Sequence, residues 1–219
     1  MKTLKMILLT AIIAVPLYII IVNPLFETFQ PTSKTVQENN YEDDDVETIE
    51  DQEVHIDGFP VIYIEGNNEI YKDDWKTFSS ELQKRCNIPW LTKNVSSIHF
   101  CSYDVFCTYG HKGDTGFARP YDNSVYILET GDAGYDETII HEFGHIYDFT
   151  YEITSSYDIS VLKENQNKVC KNNGIGLDGD YCLSDCEETF ADAIRLYALY
   201  PETDYLPKEV SDWIDTLPR

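Results

Sequence analysis

The sequence predicts an α+β domain that follows an N-terminal membrane segment and an acidic tether. Three observations lead to this prediction. Short β-rich runs come first in the C-terminal part and longer helical patterns follow them, which is the element order typical of α+β folds. Residues 1–26 contain a long uncharged apolar run, and residues 27–57 are dominated by Asp and Glu. A chain of 219 residues is long enough for one domain of ordinary size plus such extensions.

The N-terminal segment has the pattern of a signal-anchor. Lys2 and Lys5 precede an apolar run from Met6 to Phe26 that carries no charge. As a helix this run would be about 32 Å long, which is roughly the thickness of the hydrocarbon core of a membrane. No pair of small residues marks a cleavage site after it, so an uncleaved anchor is favoured over a cleaved signal peptide. The two cations place the N-terminus in the cytoplasm and the C-terminal domain outside the cell, either anchored or, if the segment is cleaved, secreted.

Acidic residues define both the tether and the charge of the whole chain. Residues 27–57 contain eleven Asp and Glu and one Lys, and they show no hydrophobic periodicity. Such a segment cannot bury enough apolar area to offset its ordering entropy, so we expect a disordered spacer. The formal net charge of −23 repels phosphate backbones, which excludes nucleic acid as an expected partner.

Residues 58–219 form the predicted folded domain. Hydrophobic patterns and turn residues divide it into strands, one Gly-rich loop and helices. The predicted strands are 59–65, 95–101 and 124–129, the loop is 110–120, and the helices are 69–86, 136–151, 157–172, 184–200 and 208–217.

All six cysteines lie beyond the tether. An even number of cysteines in a domain outside the cytoplasm indicates disulfide bonds. The local pairings predicted are Cys101 with Cys107, and Cys170 with either Cys182 or Cys186.

The helix predicted at 136–151 contains the sequence HEFGH, an H-E-x-x-H motif. Residues four apart lie on the same face of a helix, so His141 and His145 can bind one metal ion together. Glu142 lies about 100° around the helix axis from His141 and can reach a water on that ion, where it would act as the general base. Gly144 lets another backbone approach this helix closely.

A catalytic zinc site has three protein ligands and one open position, so a third ligand must come from elsewhere in the chain. Ser184-Asp185-Cys186-Glu187 has the pattern of a capping box, with Ser184 as the N-cap of the next helix and Glu187 bonded to the backbone. That assignment leaves Glu188 as the free carboxylate. Asp192 lies on the same helical face, where it can orient a metal-bound imidazole.

These residues resemble the catalytic domain of anthrax toxin lethal factor and the Pro-Pro endopeptidases, which are zincins of the gluzincin type. The resemblance rests on HEFGH and on E-x-F-A-D-A-x-R-L at 188–196, and it is specific between about 124 and 200. It implies a zincin-like fold, one catalytic Zn²⁺ and Glu188 as the third ligand. It also implies that Tyr181, seven residues before that glutamate, assists the reaction.

The expected function is a zinc-dependent endopeptidase that acts on extended peptides of extracytoplasmic proteins. Glu142 would activate the zinc-bound water, Tyr181 would donate to the oxyanion, and strand 124–129 would align the substrate by strand addition. Asp178 is a rival ligand because it forms a D-x-x-Y pattern with Tyr181. The alternative functions are an inactive zinc-binding receptor or adhesion module and an exported protease-type toxin. The oligomeric state is not predicted.

Overall fold

A computed structural model describes residues 52–66, 75–111, 113–128, 135–171 and 179–219. Five strands and nine helices lie in these ranges, several of the helices being a single turn. In chain order the elements are β1 Gln52–Val54, β2 Val61–Glu65, α1 Trp75–Cys86, α2 Pro89–Thr92, β3 Ser97–Cys101, α3 Tyr103–Thr108, β4 Gly116–Arg119, β5 Ser124–Leu128, α4 Tyr135–Tyr151, α5 Ile153–Ser156, α6 Ser160–Lys171, α7 Gly179–Cys182, α8 Cys186–Leu199 and α9 Lys208–Ile214.

The strands form one small mixed sheet in the order β1-β2-β3-β5-β4. Strands β2, β3 and β5 run parallel, with Ile62 beside Ile98 and Ile98 beside Val125. Strands β1 and β4 pair antiparallel with their neighbours and lie at the two edges. The prediction of an α+β fold is therefore confirmed.

One face of the sheet packs on the helices because alternate side chains of a strand point to opposite faces. Ile62, Ile98, Phe100 and Val125 are fully buried in the main hydrophobic core, which they share with the inner faces of α4 and α8. The opposite face carries polar and aromatic side chains, and His99 stacks there between aromatic rings.

Helices α4 and α8 lie against each other with almost no space between their backbones. A Cβ atom on Gly144 of α4 would lie only 2.8 Å from the Cα atom of Ala191 on α8. The expected close approach at Gly144 is therefore present, and it brings together the two helices that carry the candidate site.

Three differences from the sequence prediction concern β1, β4 and the start of α6. Strand β1 lies in the segment 27–57 that we predicted as a disordered tether, because its backbone pairs with β2 and needs no apolar pattern of its own. Strand β4 lies inside the predicted loop 110–120, where its pairing with β5 outweighs the low strand propensity of the Gly-rich sequence. The predicted helix 157–172 begins only at Ser160, after the separate turn α5.

The cysteine predictions have a mixed outcome. Cys170 and Cys182 form a disulfide that joins α6 to α7, as one of the two predicted alternatives states. The predicted bond between Cys101 and Cys107 is wrong, because both are free thiols. Cys101 is buried on its strand and its thiol contacts the carboxylate of Glu65.

No helix within the described ranges combines the length and the apolar character that a membrane crossing requires. The predicted signal-anchor 1–26 and residues 27–51 of the predicted tether lie outside the described residues.

Candidate metal centre

Helix α4 supplies the two histidines of the site. His141 is buried and His145 half-buried, whereas Ile139, Phe143 and Ile146 are fully buried and hold the helix on the core. The helical repeat then leaves both imidazoles on one face, as the sequence predicts. Their Nε2 atoms are 3.2 Å apart.

Helix α8 supplies the carboxylates, and its start differs from the predicted capping box. The N-cap is Asp185 rather than Ser184, and its side chain accepts a hydrogen bond of 2.8 Å from the backbone N–H of Glu188. Since the cap uses the N–H of Glu188 and not its side chain, the carboxylate of Glu188 remains available for the site. Glu187 is exposed and is not part of the cap.

Three donor atoms converge between the helices. Oε2 of Glu188 lies 3.2 Å from Nε2 of His141 and 3.4 Å from Nε2 of His145. Together with the 3.2 Å between the two nitrogens, these distances form a nearly equilateral triangle. Among the described residues, this is the group of His, Cys, Asp and Glu side chains that could hold a metal ion.

The triangle has the size that a tetrahedral metal ion requires. Bonds of about 2.0–2.1 Å in tetrahedral coordination place the ligand atoms about 3.3 Å from one another. Two imidazoles and one carboxylate are also a donor set typical of catalytic zinc sites. The residues therefore fit a small divalent cation, and in tetrahedral coordination they would leave one position for a non-protein ligand.

Asp192 fixes the ring of His141. Its Oδ1 lies 3.1 Å from Nδ1 of His141, and because an ionised carboxylate only accepts, Nδ1 must donate. The lone pair of Nε2 then points at the triangle in the neutral ring. Burial opposes the charged imidazolium, but the hydrogen bonds to Asp192 and Glu188 outweigh it and raise the pKa of His141 to about 10.

The pKa of Glu188 shifts in the opposite direction to that of His141. Burial disfavours its carboxylate, but the hydrogen bonds from His141 and His145 are stronger and hold the pKa of Glu188 well below its usual range. The side chain is therefore an anion at neutral pH, as a metal ligand must be.

Glu142 lies beside the triangle and is buried. Loss of hydration raises the pKa of its carboxyl, although the two histidines oppose this shift. The backbone N–H of Ala118, on edge strand β4, hydrogen-bonds to the same carboxylate. A Cβ on Gly116 would lie 3.2 Å from Oε1 of Glu142, so the absence of a side chain there lets the strand approach the acid.

Tyr181 reaches the site from α7, next to the disulfide. Its hydroxyl donates a hydrogen bond of 3.1 Å to Oε1 of Glu188, the oxygen that faces away from the histidines. Burial and the negative charge of Glu188 raise the pKa of Tyr181, so the hydroxyl keeps its proton at neutral pH. It can therefore act as a hydrogen-bond donor.

The site opens into a cleft of about 620 Å³. Its described lining is formed by β4 and the loop before it, by α4 and α5, by α7 and by the start of α8. The lining includes Phe117, Ala118, Glu142, His145, Tyr181 and Glu188. Strand β4 forms one wall and lies at the edge of the sheet, so an extended chain can align along it.

The structure brings together most of the residues that the sequence singles out. His141, His145, Glu188 and Asp192 meet between α4 and α8, and the remaining candidates Glu142 and Tyr181 border the same cleft. Asp178, the rival ligand, lies outside the described residues.

The strand proposed for substrate alignment is corrected. Strand β5 is internal, between β3 and β4, so its backbone is already paired on both sides. Strand β4 takes the edge position instead.

Sequence reasoning missed two further residues of the site. Arg195 is fully buried and binds both Asp192 and Glu137. Helical spacing could have indicated them, because Arg195 is three residues after Asp192 and Glu137 is four residues before His141.

Comparison of the sequence with models of known protein families gives no match, and comparison with curated proteins gives none either.

Proposed function

We propose that the chain is a zinc-dependent endopeptidase of the gluzincin type with a zincin-like fold. The observation that carries the proposal is the convergence of His141, His145 and Glu188 at distances that suit tetrahedral zinc, with Glu142 beside them in an open cleft. A site that only binds metal does not need a buried acid at that position. When bound there, zinc would supply Lewis acidity, which polarises a peptide carbonyl and increases the acidity of water.

Glu142 is the proposed general base and acid. Burial raises the pKa of its carboxyl, although the two histidines oppose this shift, and a higher pKa makes the carboxylate a better proton acceptor. It takes the proton of the attacking water and delivers it to the amine that leaves. Its hydrogen bond to Ala118 holds the carboxylate at the wall where the substrate lies.

Tyr181 is the proposed donor to the oxyanion. Its hydroxyl lies in the same cleft, donates a hydrogen bond to Glu188 and keeps its proton at neutral pH. A donor that is already held near the reacting carbonyl stabilises the charge that develops in the transition state.

The proposed substrates are extended segments of proteins outside the cytoplasm. Strand β4 lies at the edge of the sheet and lines the cleft, so it offers an edge for strand addition. The N-terminal segment 1–26 is the proposed membrane anchor that places the enzyme there.

A cleavage assay on a peptide library, with and without a chelator, tests the activity. Glu142→Gln should reduce cleavage by about 10²-fold or more while the zinc content stays at one per chain. Glu188→Ala should lose the metal, as measured by elemental analysis, whereas Glu187→Ala is the matched control that should retain it. Near-normal turnover of Glu142→Gln, or full zinc content in Glu188→Ala, would contradict the assignment.

A further inference from the structure

A buried ion cluster lies directly behind the candidate metal centre. Arg195 is fully buried; its Nε donates a 3.1 Å hydrogen bond to Oδ1 of Asp192, and its NH1 donates to Oε2 of Glu137. Oδ1 of Asp192 also accepts from Nδ1 of His141, at 3.1 Å. The hydroxyl of Tyr200 donates to the other oxygen of Glu137, at 2.5 Å.

These contacts connect Glu137, Arg195, Asp192 and His141 in a row that crosses between the two helices of the site. Glu137 and His141 lie one turn apart on α4, and Asp192 and Arg195 lie one turn apart on α8. Each helix therefore contributes two members, and the guanidinium links the carboxylate of one helix to the carboxylate of the other. A planar fork with several donors can make both contacts at once, which a lysine ammonium cannot do with the same geometry.

The contact with Arg195 determines what Asp192 can do for His141. Asp192 is 1% exposed, and a carboxylate at that depth is disfavoured unless a cation compensates it. Arg195 supplies that charge permanently, because a guanidinium does not lose its proton in proteins. Asp192 is thereby held as an oriented acceptor, and His141 must present Nδ1–H to it and Nε2 to the metal position.

We propose that Arg195 is a positioning residue for the metal centre, which acts through Asp192 on the orientation of His141 and is itself held by Glu137. This inference rests on the proposed function, since it assigns a role in the same metal site. Through Asp192, Arg195 controls the orientation of the His141 imidazole. Loss of Arg195 should therefore lower metal affinity and not only the stability of the fold.

Zinc affinity, measured by chelator competition on the full chain, tests the proposal. Arg195→Met should weaken zinc binding by about 10–100-fold, the range typical of residues that orient metal ligands. Arg195→Lys keeps the positive charge but not the planar guanidinium with its several donors. Its zinc affinity should therefore lie between those of Arg195→Met and the wild type. Arg85→Met is the matched control, because it breaks an ion pair of 2.5 Å to Asp136, the neighbour of Glu137 on α4, without contact to His141. It should bind zinc like the wild type.

A second readout distinguishes positioning from a purely structural role. In the metal-free protein, the Nδ1–H proton of His141 should exchange slowly with solvent by NMR in the wild type and in Arg85→Met, and faster in the Arg195 variants. Wild-type zinc affinity and slow exchange in a folded Arg195→Lys or Arg195→Met variant would overturn the proposal. If Arg195→Met does not fold, the zinc affinity and the exchange rate of Arg195→Lys decide the proposal. If the wild type itself binds no zinc, the proposed function fails, and the exchange rate still decides the role of Arg195.

Discussion

The contact between Gly144 and Ala191 yields a prediction that can be worked out from the structure. Gly144→Ala places a methyl group 2.8 Å from the Cα atom of Ala191 and 3.3 Å from its Cβ and carbonyl oxygen. The nearest of these atoms belongs to backbone, so no side-chain rotation can relieve the contact. The two helices must separate by about 0.6 Å to restore an ordinary contact of 3.4 Å.

The size of this shift can be compared with the tolerance of the metal site. Gly144 precedes His145 directly, and Ala191 is three residues from Glu188, so separation of the helices moves the third donor away from the first two. Metal-ligand distances tolerate only about 0.2 Å. A shift of about 0.6 Å therefore exceeds that tolerance, and we expect zinc affinity to fall by about 10-fold or more.

The effect of Gly144→Ala on stability is the difference between two opposing contributions. Alanine is favoured over glycine within a helix by about 1 kcal/mol, whereas overpacking costs about 1–3 kcal/mol. The net free energy of unfolding should therefore fall by about 0–2 kcal/mol. Chemical denaturation in the presence of EDTA measures the free energy of unfolding, and chelator competition measures the zinc affinity.

Ala191→Gly is the matched control. It removes a methyl group from the same contact and lowers the helix propensity by about 1 kcal/mol, but it pushes nothing apart. It should lose stability to a similar degree and keep its zinc affinity. The reasoning is refuted if Gly144→Ala stabilises the fold like an ordinary helical substitution, or binds zinc as tightly as the wild type.

Three further predictions concern separate parts of the domain. Tyr181→Phe should lower kcat by about 10²-fold, because it removes one donor to the oxyanion, with zinc content unchanged; equal kcat would contradict the role. Cys170→Ser combined with Cys182→Ser should lower the free energy of unfolding by about 2–3 kcal/mol in urea titrations, the value for a loop of this length, and no loss would show that the bond does not constrain the unfolded chain. The hydrogen bond from His99 lowers the pKa of Glu65 in the folded state, so the stability that Glu65 contributes should be present above about pH 4.3 and lost as the pH falls further. The difference in unfolding midpoint between the wild type and Glu65→Gln should accordingly shrink in acid, and a constant difference would argue against this linkage.

Local rules explain what the sequence by itself determined. The α+β order, the helix that carries HEFGH and the shared face of His141 and His145 follow from hydrophobic periodicity and from the fixed geometry of one helical turn. Glu188 and Asp192 are related in the same way on α8. None of these relations needs a contact between distant parts of the chain.

Only the tertiary structure decided which distant segments of the chain pair with each other. Strand β4 lies in a Gly-rich segment whose own propensity argues against a strand, and pairing with β5 creates it. The free thiols Cys101 and Cys107 and the bond between Cys170 and Cys182 likewise depend on which side chains the fold brings within reach.

The buried position of Arg195 is the clearest feature that only the tertiary structure decided. A single arginine in a helix is usually a surface residue, because burial of its charge is unfavourable without partners. Asp192 lies one turn away on the same helix, whereas Glu137 comes from α4, which packs closely on α8 at Gly144. The sequence thus determined the chemical groups and their local spacing, whereas long-range packing determined which of those groups share one site.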